Sequence, residues 1–191
     1  MIKNLMFPKY DDNGCSRLVM PNTKSIVFLD FDGVIIPYNN DSRWYHDLKK
    51  LAIYLSKKYR NDIYLKVPEG DLGGAFFDWD LTALGRLRKI LDETASEIVI
   101  HSDYRIFDTL EQLKAMFRLY GMDEYILDVC EKGPDKEEAI RNYLYQNSDN
   151  IENYVVLDDN PELDVFNDHF VLTNDYLKDE DVEKTLKILM R

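Results

Sequence analysis

The chain has 191 residues, which at about 150 residues per domain favours one domain with an insertion over two separate domains. Hydrophobic residues make up 45% of the chain and charged residues 31%, with 8 Gly and 6 Pro, so disordered, collagen-like and low-complexity proteins are excluded. The 36 acidic residues outnumber the 24 basic ones, and the resulting net charge of −12 argues against bulk electrostatic binding of nucleic acid.

No apolar run approaches the ~20 residues that cross a bilayer, and residues 1–24 lack the basic start and apolar middle of a signal peptide. We therefore expect a cytoplasmic protein that does not associate with membranes. The two cysteines, Cys15 and Cys130, are far apart and support neither a disulfide framework nor a zinc site. Both are expected to be free thiols. The sequence does not indicate the oligomeric state of the protein.

Five short apolar runs predict β-strands. The first, at residues 25–29, contains four consecutive apolar residues, which is typical of a strand buried on both faces of a sheet. The other four runs lie at residues 97–101, 125–129, 154–157 and 169–172. Each is short enough to be a strand.

Stretches with helical periodicity separate the predicted strands. Their apolar residues recur at the spacing of one helix face: Leu84, Leu87, Leu91; Leu110, Leu113, Phe117; Ile140, Tyr143, Leu144; and Val182, Leu186, Leu189. Gly121 is predicted to be the C-cap of the second of these helices. Alternating strands and helices predict an α/β fold with a doubly wound, Rossmann-like parallel sheet of about five strands, in which ligands bind beyond the carboxyl ends of the strands.

The interval from Asp32 to Ser102 is longer than a single crossover helix requires. We therefore predict a small cap inserted after the first strand at about residues 38–80, within a single domain that spans residues 1–191. One amphipathic helix is expected in the insertion, from the spacing of Leu48, Leu51, Ala52 and Leu55.

Polar residues follow three of the predicted strands. Asp30 and Asp32 come after the first strand, Ser102 after the second, and Asp158 with Asp159 after the fourth. Because the carboxyl ends of parallel strands meet at one edge of a sheet, we expect these side chains to converge. Carboxylates gathered in this way repel one another, and a hard cation such as Mg²⁺ is their natural counter-ion. The four aspartates are therefore the predicted metal ligands.

Local structure offers other interpretations of these positions. Asp32 and Gly33 lie between apolar residues and would suit the turn of a β-hairpin. Asp158 could start an Asx-type loop, and Ser102 could cap the helix that follows it. A hairpin alone would not explain why a second acidic pair follows another strand. This second pair favours the interpretation of these residues as a metal site.

Lys136 is predicted to lie in the first turn of the helix that contains Ile140. The helix dipole makes a cation unfavourable there unless an acidic or phosphate neighbour offsets it. Solvent exposure is the simpler interpretation of this lysine, and Lys132, four residues earlier, is the competing candidate for a role at the site.

These residues occur in the order of the four motifs of the haloacid dehalogenase-like (HAD) hydrolase superfamily, which the chain resembles over most of its length. The first motif corresponds to residues 30–34, with the sequence Asp-Phe-Asp-Gly-Val. Ser102 and Lys136 match the second and third motifs, and Asp158 with Asp159 matches the fourth.

A more local resemblance covers residues 98–105, with the sequence Ile-Val-Ile-His-Ser-Asp-Tyr-Arg. This run is similar to the HAD domain first described in Swiss Army Knife RNA repair proteins. In that group Trp often stands where this chain has Tyr104.

The resemblance implies different catalytic roles for the first two aspartates. Asp30 would be the nucleophile that attacks phosphorus and forms an aspartyl-phosphate, which water then hydrolyses. Asp32 would protonate the leaving oxygen and later deprotonate that water. The presence of Asp32 favours phosphate chemistry over dehalogenation, because a halide leaving group needs no proton.

The resemblance also implies how substrate and metal are held. Ser102 and Lys136 would bind the transferring phosphoryl oxygens. Asp158 and Asp159 would complete a Mg²⁺ site, one of them directly and the other through water or by orienting Lys136.

Two functions of different classes fit these observations. The first is a Mg²⁺-dependent phosphatase acting on a small phosphorylated metabolite, a nucleotide or a nucleic-acid end. The second is a phosphate-binding or phosphoacceptor signalling module without turnover, resembling a receiver domain. Receiver domains usually place adjacent acids after the first strand and a lone acceptor later. This chain has Asp-x-Asp first and the acidic pair later, which favours the phosphatase.

Aromatic and histidine residues carry weaker signals. The insertion contains Tyr38, Trp44, Phe76, Phe77 and Trp79, for which core packing is favoured over stacking on a nucleobase. The three histidines, His46, His101 and His169, lack the mutual spacing of metal ligands. His101, beside Ser102, is best interpreted as a hydrogen-bonded histidine at a strand end.

Overall fold

A computed structural model of the chain describes residues 9–10, 16–17, 24–133 and 135–191. Strands β1 (Lys9–Tyr10) and β2 (Ser16–Arg17) pair in antiparallel fashion. The other residues before Lys24 lie outside the described residues. They include Cys15, which is predicted to be a free thiol.

Five strands form the main sheet of the described chain. They are β3 (Lys24–Leu29), β4 (Glu97–Ile100), β5 (Ile126–Val129), β6 (Ile151–Asp158) and β7 (Phe170–Leu172). Their order across the sheet is β5-β4-β3-β6-β7, and every neighbouring pair is parallel. The predicted α/β fold with a five-stranded, Rossmann-like parallel sheet is confirmed.

Strand β3 lies at the centre of this sheet, with β4 on one side and β6 on the other. Both of its edges are therefore paired, so the hairpin interpretation of Asp32 and Gly33 is wrong. The chain instead turns tightly after the strand, because the amides of Val34, Ile35 and Ile36 all donate to the Phe31 carbonyl. This turn leads the chain away from the sheet.

Seven α-helices are found in the described residues. They are α1 (Leu48–Tyr59), α2 (Glu69–Gly73), α3 (Leu81–Thr94), α4 (Tyr104–Phe107), α5 (Leu110–Arg118), α6 (Lys136–Gln146) and α7 (Asp179–Leu189). The other helical segments are the π-helix Gly74–Asp78 and the 3₁₀ segments Ser42–Tyr45, Asp62–Leu65, Asp123–Tyr125 and Pro161–His169, the last of which is interrupted by non-helical backbone at Asn167. Every apolar periodicity noted in the sequence thus corresponds to a helix.

The predicted strand boundaries agree with the structure to within one residue except in β6, and the end of helix α5 also differs. Strand β6 begins at Ile151, three residues before the apolar run, because its first residues are partly exposed and show no continuous hydrophobicity. Helix α5 ends at Arg118 with Leu119 as the cap residue, two residues before the predicted C-cap Gly121, although Gly121 does adopt the left-handed φ of 63° that is typical of a glycine closing a helix. The amides of Leu119, Tyr120 and Gly121 each bond the carbonyl three residues earlier, so the helix tightens before the glycine is reached.

The sheet has a hydrophobic core on each face, since successive side chains of a strand point to opposite sides. Val27 and Leu29 belong to the larger core, which contains residues of α1, α3, α5 and α7. Ile26 and Phe28 belong to the smaller core, together with residues of α6 and the 3₁₀ helix Pro161–His169. Helices on both faces make this the doubly wound arrangement that the sequence predicts.

The predicted insertion at residues 38–80 contains α1, α2 and the short helices between Ser42 and Asp78. Helix α1 buries Leu51, Ala52 and Leu55. An ion pair between Arg43 and the fully buried Asp78 joins the two ends of the insertion. The division of the chain into a core and a cap within one domain stays a prediction.

Two further sequence expectations concern membrane-spanning helices and Cys130. Among the described helices there is none whose length and apolar character would allow it to cross a membrane. Cys130 is a free, buried thiol, as predicted, and burial raises its pKa to about 12.

The insertion and the sheet share one core, which predicts how the protein unfolds. Leu55 on α1 is fully buried in the same cluster as Val27 and Leu29. We expect Leu55→Ala to lower the free energy of unfolding by about 2–5 kcal/mol in one cooperative transition. Urea unfolding followed by circular dichroism measures this change.

Ile53→Ala on the same helix is the matched control, because Ile53 is 48% exposed. It should change the free energy of unfolding by less than about 0.5 kcal/mol. An early transition in Leu55→Ala that leaves the sheet folded would show that the insertion unfolds on its own.

Candidate active site

Three strand ends bring polar side chains to one edge of the sheet. Asp30 directly follows β3, Ser102 lies two residues after β4, and Asp158 is the last residue of β6. The Asp30 amide donates to the Leu157 carbonyl at 3.0 Å, and the His101 amide to the Leu29 carbonyl at 3.1 Å. These backbone bonds continue the parallel pairing past the strands and hold the three loops side by side.

Lys136 reaches this edge from the start of helix α6. Its Nζ lies 2.8 Å from Asp30 Oδ2 and 3.0 Å from Asp158 Oδ2. Burial by itself would lower the pKa of Lys136, but the charges of the two aspartates raise it. These aspartates supply the acidic neighbours that a cation in the first turn of a helix requires. Lys132, the competing candidate, is exposed.

Asp30, Asp158 and Asp159 form a cluster that could hold a metal ion. One carboxylate oxygen from each lies within 4.8 Å of the other two. A donor set made only of carboxylate oxygens fits a hard cation such as Mg²⁺. Asp32, predicted as a fourth ligand, is not part of this group. The turn that begins at Phe31 ends the strand alternation and leaves the Asp32 side chain exposed.

Both carboxylate oxygens of Asp158 are engaged by other groups. Oδ2 accepts hydrogen bonds from His101 Nε2 at 2.7 Å and from Lys136, while Oδ1 accepts one from the Asn160 amide at 2.7 Å. Burial would raise the pKa of Asp158, but the bond from His101 and the charge of Lys136 hold it well below its usual range. Asp158 is therefore an ionised group that orients Lys136.

The Asx-type interpretation of Asp158 is also realised, since the bond from the Asn160 amide is of that kind. Asn160 in turn accepts a bond from the Glu162 amide and caps the 3₁₀ helix Pro161–His169. One carboxylate thus shapes the loop and faces the site.

Asp159 is held by a residue of the predicted insertion. Tyr38, 46% exposed, donates its hydroxyl to Asp159 Oδ2 at 2.8 Å. Burial and the neighbouring charges of Asp158 and Asp30 raise the pKa of Asp159, which the Tyr38 bond opposes. Tyr38 was expected to pack in a core or stack on a base, and its contact with a site carboxylate was not predicted.

Gly33 makes room for the same carboxylate. A Cβ at this position would lie 2.5 Å from Asp159 Oδ2, and the backbone has a φ of 69° that side chains other than glycine rarely adopt. A glycine is therefore required beside Asp159 for two independent reasons.

Ser102 is fully buried, and its hydroxyl has no hydrogen-bond partner among the described residues. It does not cap the helix that follows, since Asp103 is the N-cap residue of α4. A buried hydroxyl without a protein partner costs free energy unless a ligand or water satisfies it. This makes Ser102 available to a bound anion.

Asp32 lies at the mouth of the site, where its side chain is exposed. Partial removal of water and the charge of Asp30 raise its pKa, while Arg43 and Lys136 oppose the shift. A carboxyl group with a raised pKa is suited to donate a proton. This differs from Asp158, whose pKa is lowered.

Several groups around the site were not singled out as site residues from the sequence. His101 bonds Asp158 through Nε2, so its interpretation as a hydrogen-bonded strand-end histidine is confirmed. Its position directly after β4 was the available signal. Arg43 donates to Tyr104 Oη at 3.3 Å and pairs with Asp78 across 35 positions of the chain, a contact that no local pattern indicates.

The aromatic residues of the insertion divide into two groups. Trp79 is buried against Phe31 and Phe117, with ring centroids 5.3 and 4.7 Å apart, which is the core packing expected of it. Trp44 is 65% exposed, and stacking of a nucleobase on it stays an untested idea.

An open cleft of about 470 Å³ lies beside Lys136. Its walls are mostly polar and acidic: Asp103, Asp135, Glu137, Asn160, Glu162 and Leu163. The cleft gives solvent and small solutes a path to the start of α6.

The fit between Gly33 and Asp159 predicts a selective loss of metal binding. We expect Gly33→Ala to weaken Mg²⁺ affinity about 10–100-fold, since a displaced ligand orientation typically has this effect. Isothermal titration calorimetry with Mg²⁺ measures it. Gly85→Ala is the control, because Gly85 lies in α3 with nothing within 4 Å of an added Cβ.

The control should keep its Mg²⁺ affinity and gain about 1 kcal/mol of stability from helix propensity. Equal Mg²⁺ affinity in both variants would mean that Asp159 is not a metal ligand.

Comparison with known proteins identifies the family. The model of the HAD domain in Swiss Army Knife RNA repair proteins matches residues 26–182, which include every predicted site residue. No curated protein and no solved structure matches the chain. The family match covers the parallel sheet except Lys24 and Ser25, and most of the chain, so the protein belongs to the family of HAD domains found in Swiss Army Knife RNA repair proteins.

Proposed function

We propose that the protein is a Mg²⁺-dependent phosphatase that hydrolyses a phosphomonoester through an aspartyl-phosphate intermediate. The observation that carries this proposal is Lys136, whose ammonium group bridges Asp30 and Asp158 at the edge where Ser102 keeps a buried hydroxyl without a protein partner. A nucleophile, a cation and a free donor thus meet in one place. Membership of a HAD family supports hydrolase activity.

The first step forms a bond between Asp30 and phosphorus. An oxygen of the Asp30 carboxylate attacks the phosphoryl group, and the bond from phosphorus to the leaving oxygen breaks. Asp32 donates its proton to that oxygen, for which its exposed position and raised pKa are suited. The products of this step are a free alcohol and an aspartyl-phosphate on Asp30.

The second step restores the enzyme. Asp32, now ionised, takes a proton from a water molecule, whose oxygen attacks phosphorus and releases inorganic phosphate. The Asp30 carboxylate is regenerated without change. One residue therefore serves as acid in the first step and as base in the second.

Charge at the site is balanced by the residues around the nucleophile. Lys136 neutralises part of the negative charge of Asp30, so that a phosphate dianion can approach it. Ser102 donates its hydroxyl to a phosphoryl oxygen. Asp30 and Asp159, with Asp158 beside them, would hold Mg²⁺, which when bound supplies positive charge against the carboxylates and the phosphoryl oxygens.

The proposed substrate is a small phosphorylated metabolite, a nucleotide or a nucleic-acid end. The net charge of −12 and the acidic cleft beside Lys136 disfavour a long polyanion that would lie across the surface. We place RNA ends among the candidates because the family occurs in RNA repair proteins. The reaction is proposed to take place in the cytoplasm.

Turnover tests the proposed function against a phosphoacceptor module. The purified protein is incubated with an aryl phosphate and Mg²⁺, and released phosphate is measured over time. We expect steady release of many equivalents and loss of activity in chelator, restored by Mg²⁺. At most one equivalent of phosphate would instead indicate a signalling module. Full activity in chelator would contradict a metal-dependent mechanism.

The distinct roles of the first two aspartates give a sharper prediction. Asp30→Asn should abolish both turnover and the covalent adduct, because it removes the nucleophile. Asp32→Asn should slow turnover about 10²–10⁴-fold while phosphoaspartate accumulates, since an activated aryl leaving group needs little protonation. Intact-protein mass spectrometry after acid quench detects one added phosphoryl group.

Asp149→Asn, at an exposed position, is the control and should behave as the unaltered protein. A phosphoryl adduct that persists in Asp30→Asn, or that maps to Ser102, would show that another residue is the nucleophile.

A further inference from the structure

Arg105 is a fully buried residue of α4. Its guanidinium group donates to the carbonyls of His101 at 2.8 Å, Glu131 at 3.2 Å and Gly133 at 2.6 Å. It also donates to Asp103 Oδ1 at 3.0 Å. One side chain thereby joins the end of β4 to the loop that precedes α6.

A buried guanidinium group stabilises a protein core poorly, because its burial costs free energy. Burying a charge is unfavourable unless it is paired, and the carboxylate of Asp103, with a side chain 65% exposed, is a weak partner. The other acceptors are neutral carbonyls. A guanidinium group presents donors in a rigid planar fork, which suits it to hold two chain segments at a fixed separation.

Among the described residues, the side chains of residues 131–133 make one other hydrogen bond, from Asn142 of α6 to Glu131 Oε1. Glu131 and Lys132 are exposed, and a Cβ on Gly133 would meet nothing within 4 Å. Helix α6, which follows, buries Ala139 and Ile140 in its second turn. Apolar packing therefore anchors the helix from its fourth residue onward, while the position of Lys136, before that point, depends also on the loop.

Lys136 is the first residue of that helix and lies three positions after Gly133. Its two bonds to Asp30 and Asp158 require the first turn to lie close to the sheet edge. Arg105 also bonds the carbonyl of His101, the residue that precedes Ser102. The amide of His101 is itself held by the Leu29 carbonyl, so this bond gives the loop before Lys136 a fixed anchor in the sheet.

We propose that Arg105 is a positioning residue, which braces the 131–133 loop against the end of β4 so that Lys136 reaches Asp30 and Asp158. This inference rests on the proposed function, because the role of Lys136 in turnover is part of it. Arg105 is fully buried with its guanidinium group bonded to protein acceptors, so it acts through Lys136.

A double-mutant cycle separates positioning from general stabilisation. Arg105→Lys keeps the charge but loses the fork, and we expect kcat to fall roughly 10- to 100-fold, as a small misplacement of a catalytic group does. In a Lys136→Met background the same change should lower kcat less than about threefold, because the group it positions is gone. Equal losses in both backgrounds would overturn the proposal.

Arg88→Lys is the matched control. Arg88 lies on α3, is half-buried and donates to the carbonyls of Tyr120 and Gly121. This substitution also removes bonds from a guanidinium group to backbone carbonyls, but away from the sheet edge. It should leave kcat unchanged, and a loss as large as that of Arg105→Lys would overturn the proposal.

Hydrogen exchange gives a readout that does not depend on activity. In Arg105→Lys we expect faster amide exchange within residues 131–138, with the sheet unchanged. If the unaltered protein does not release phosphate, the proposed function fails, while faster exchange still supports the bracing of the loop. Unchanged exchange in this segment would overturn the proposal even in an active enzyme.

If Arg105→Lys does not fold, Asp103→Asn replaces it, because this change removes the negative charge that pairs with the guanidinium group. We then expect kcat to fall roughly 2- to 10-fold, and this fall to disappear in the Lys136→Met background. An undiminished fall in that background would overturn the proposal.

Discussion

Asp30, Asp158 and Asp159 place three carboxylates within 4.8 Å of one another at the edge of a sheet. Two unit charges about 4 Å apart repel by about 4 kcal/mol at an effective dielectric constant of about 20. Lys136 relieves part of this repulsion by bonding two of them, and His101 binds the one that is most buried. The position of the start of α6 therefore decides how much of this repulsion the protein's own side chains relieve.

The backbone around the site follows from the same requirement. The parallel pairing of β3 with β4 and β6 sets the three loops side by side, and its bonds continue one residue past β3 and β4. Gly33 leaves the space that the Asp159 carboxylate occupies. Arg105 ties the loop before α6 to the end of β4. Residues that carry no chemistry themselves thus limit where the charged groups lie.

Much of the fold could be predicted because its signals are local. Strands buried on both faces appear as continuous apolar runs, and helices on the two faces appear as periodic ones. The differences occur where these signals fade, as at Ile151, where β6 extends through partly exposed residues, and at Gly121, where the helix ends before the glycine. Asp32 departs from its expected place in the acidic group because a tight turn interrupts the alternation of the strand.

The sequence alone determined the family, the parallel sheet and the order of Asp30, Ser102, Lys136 and the acidic pair, since each follows from motifs and periodicities along the chain. Only the tertiary structure decided which partners these residues have. It places the ammonium group of Lys136, rather than that of Lys132, against Asp30 and Asp158. It also places the Tyr38 hydroxyl against the Asp159 carboxylate. These contacts join residues far apart in the chain, and their distances depend on how helices and loops pack against the sheet, which no local pattern of side chains specifies.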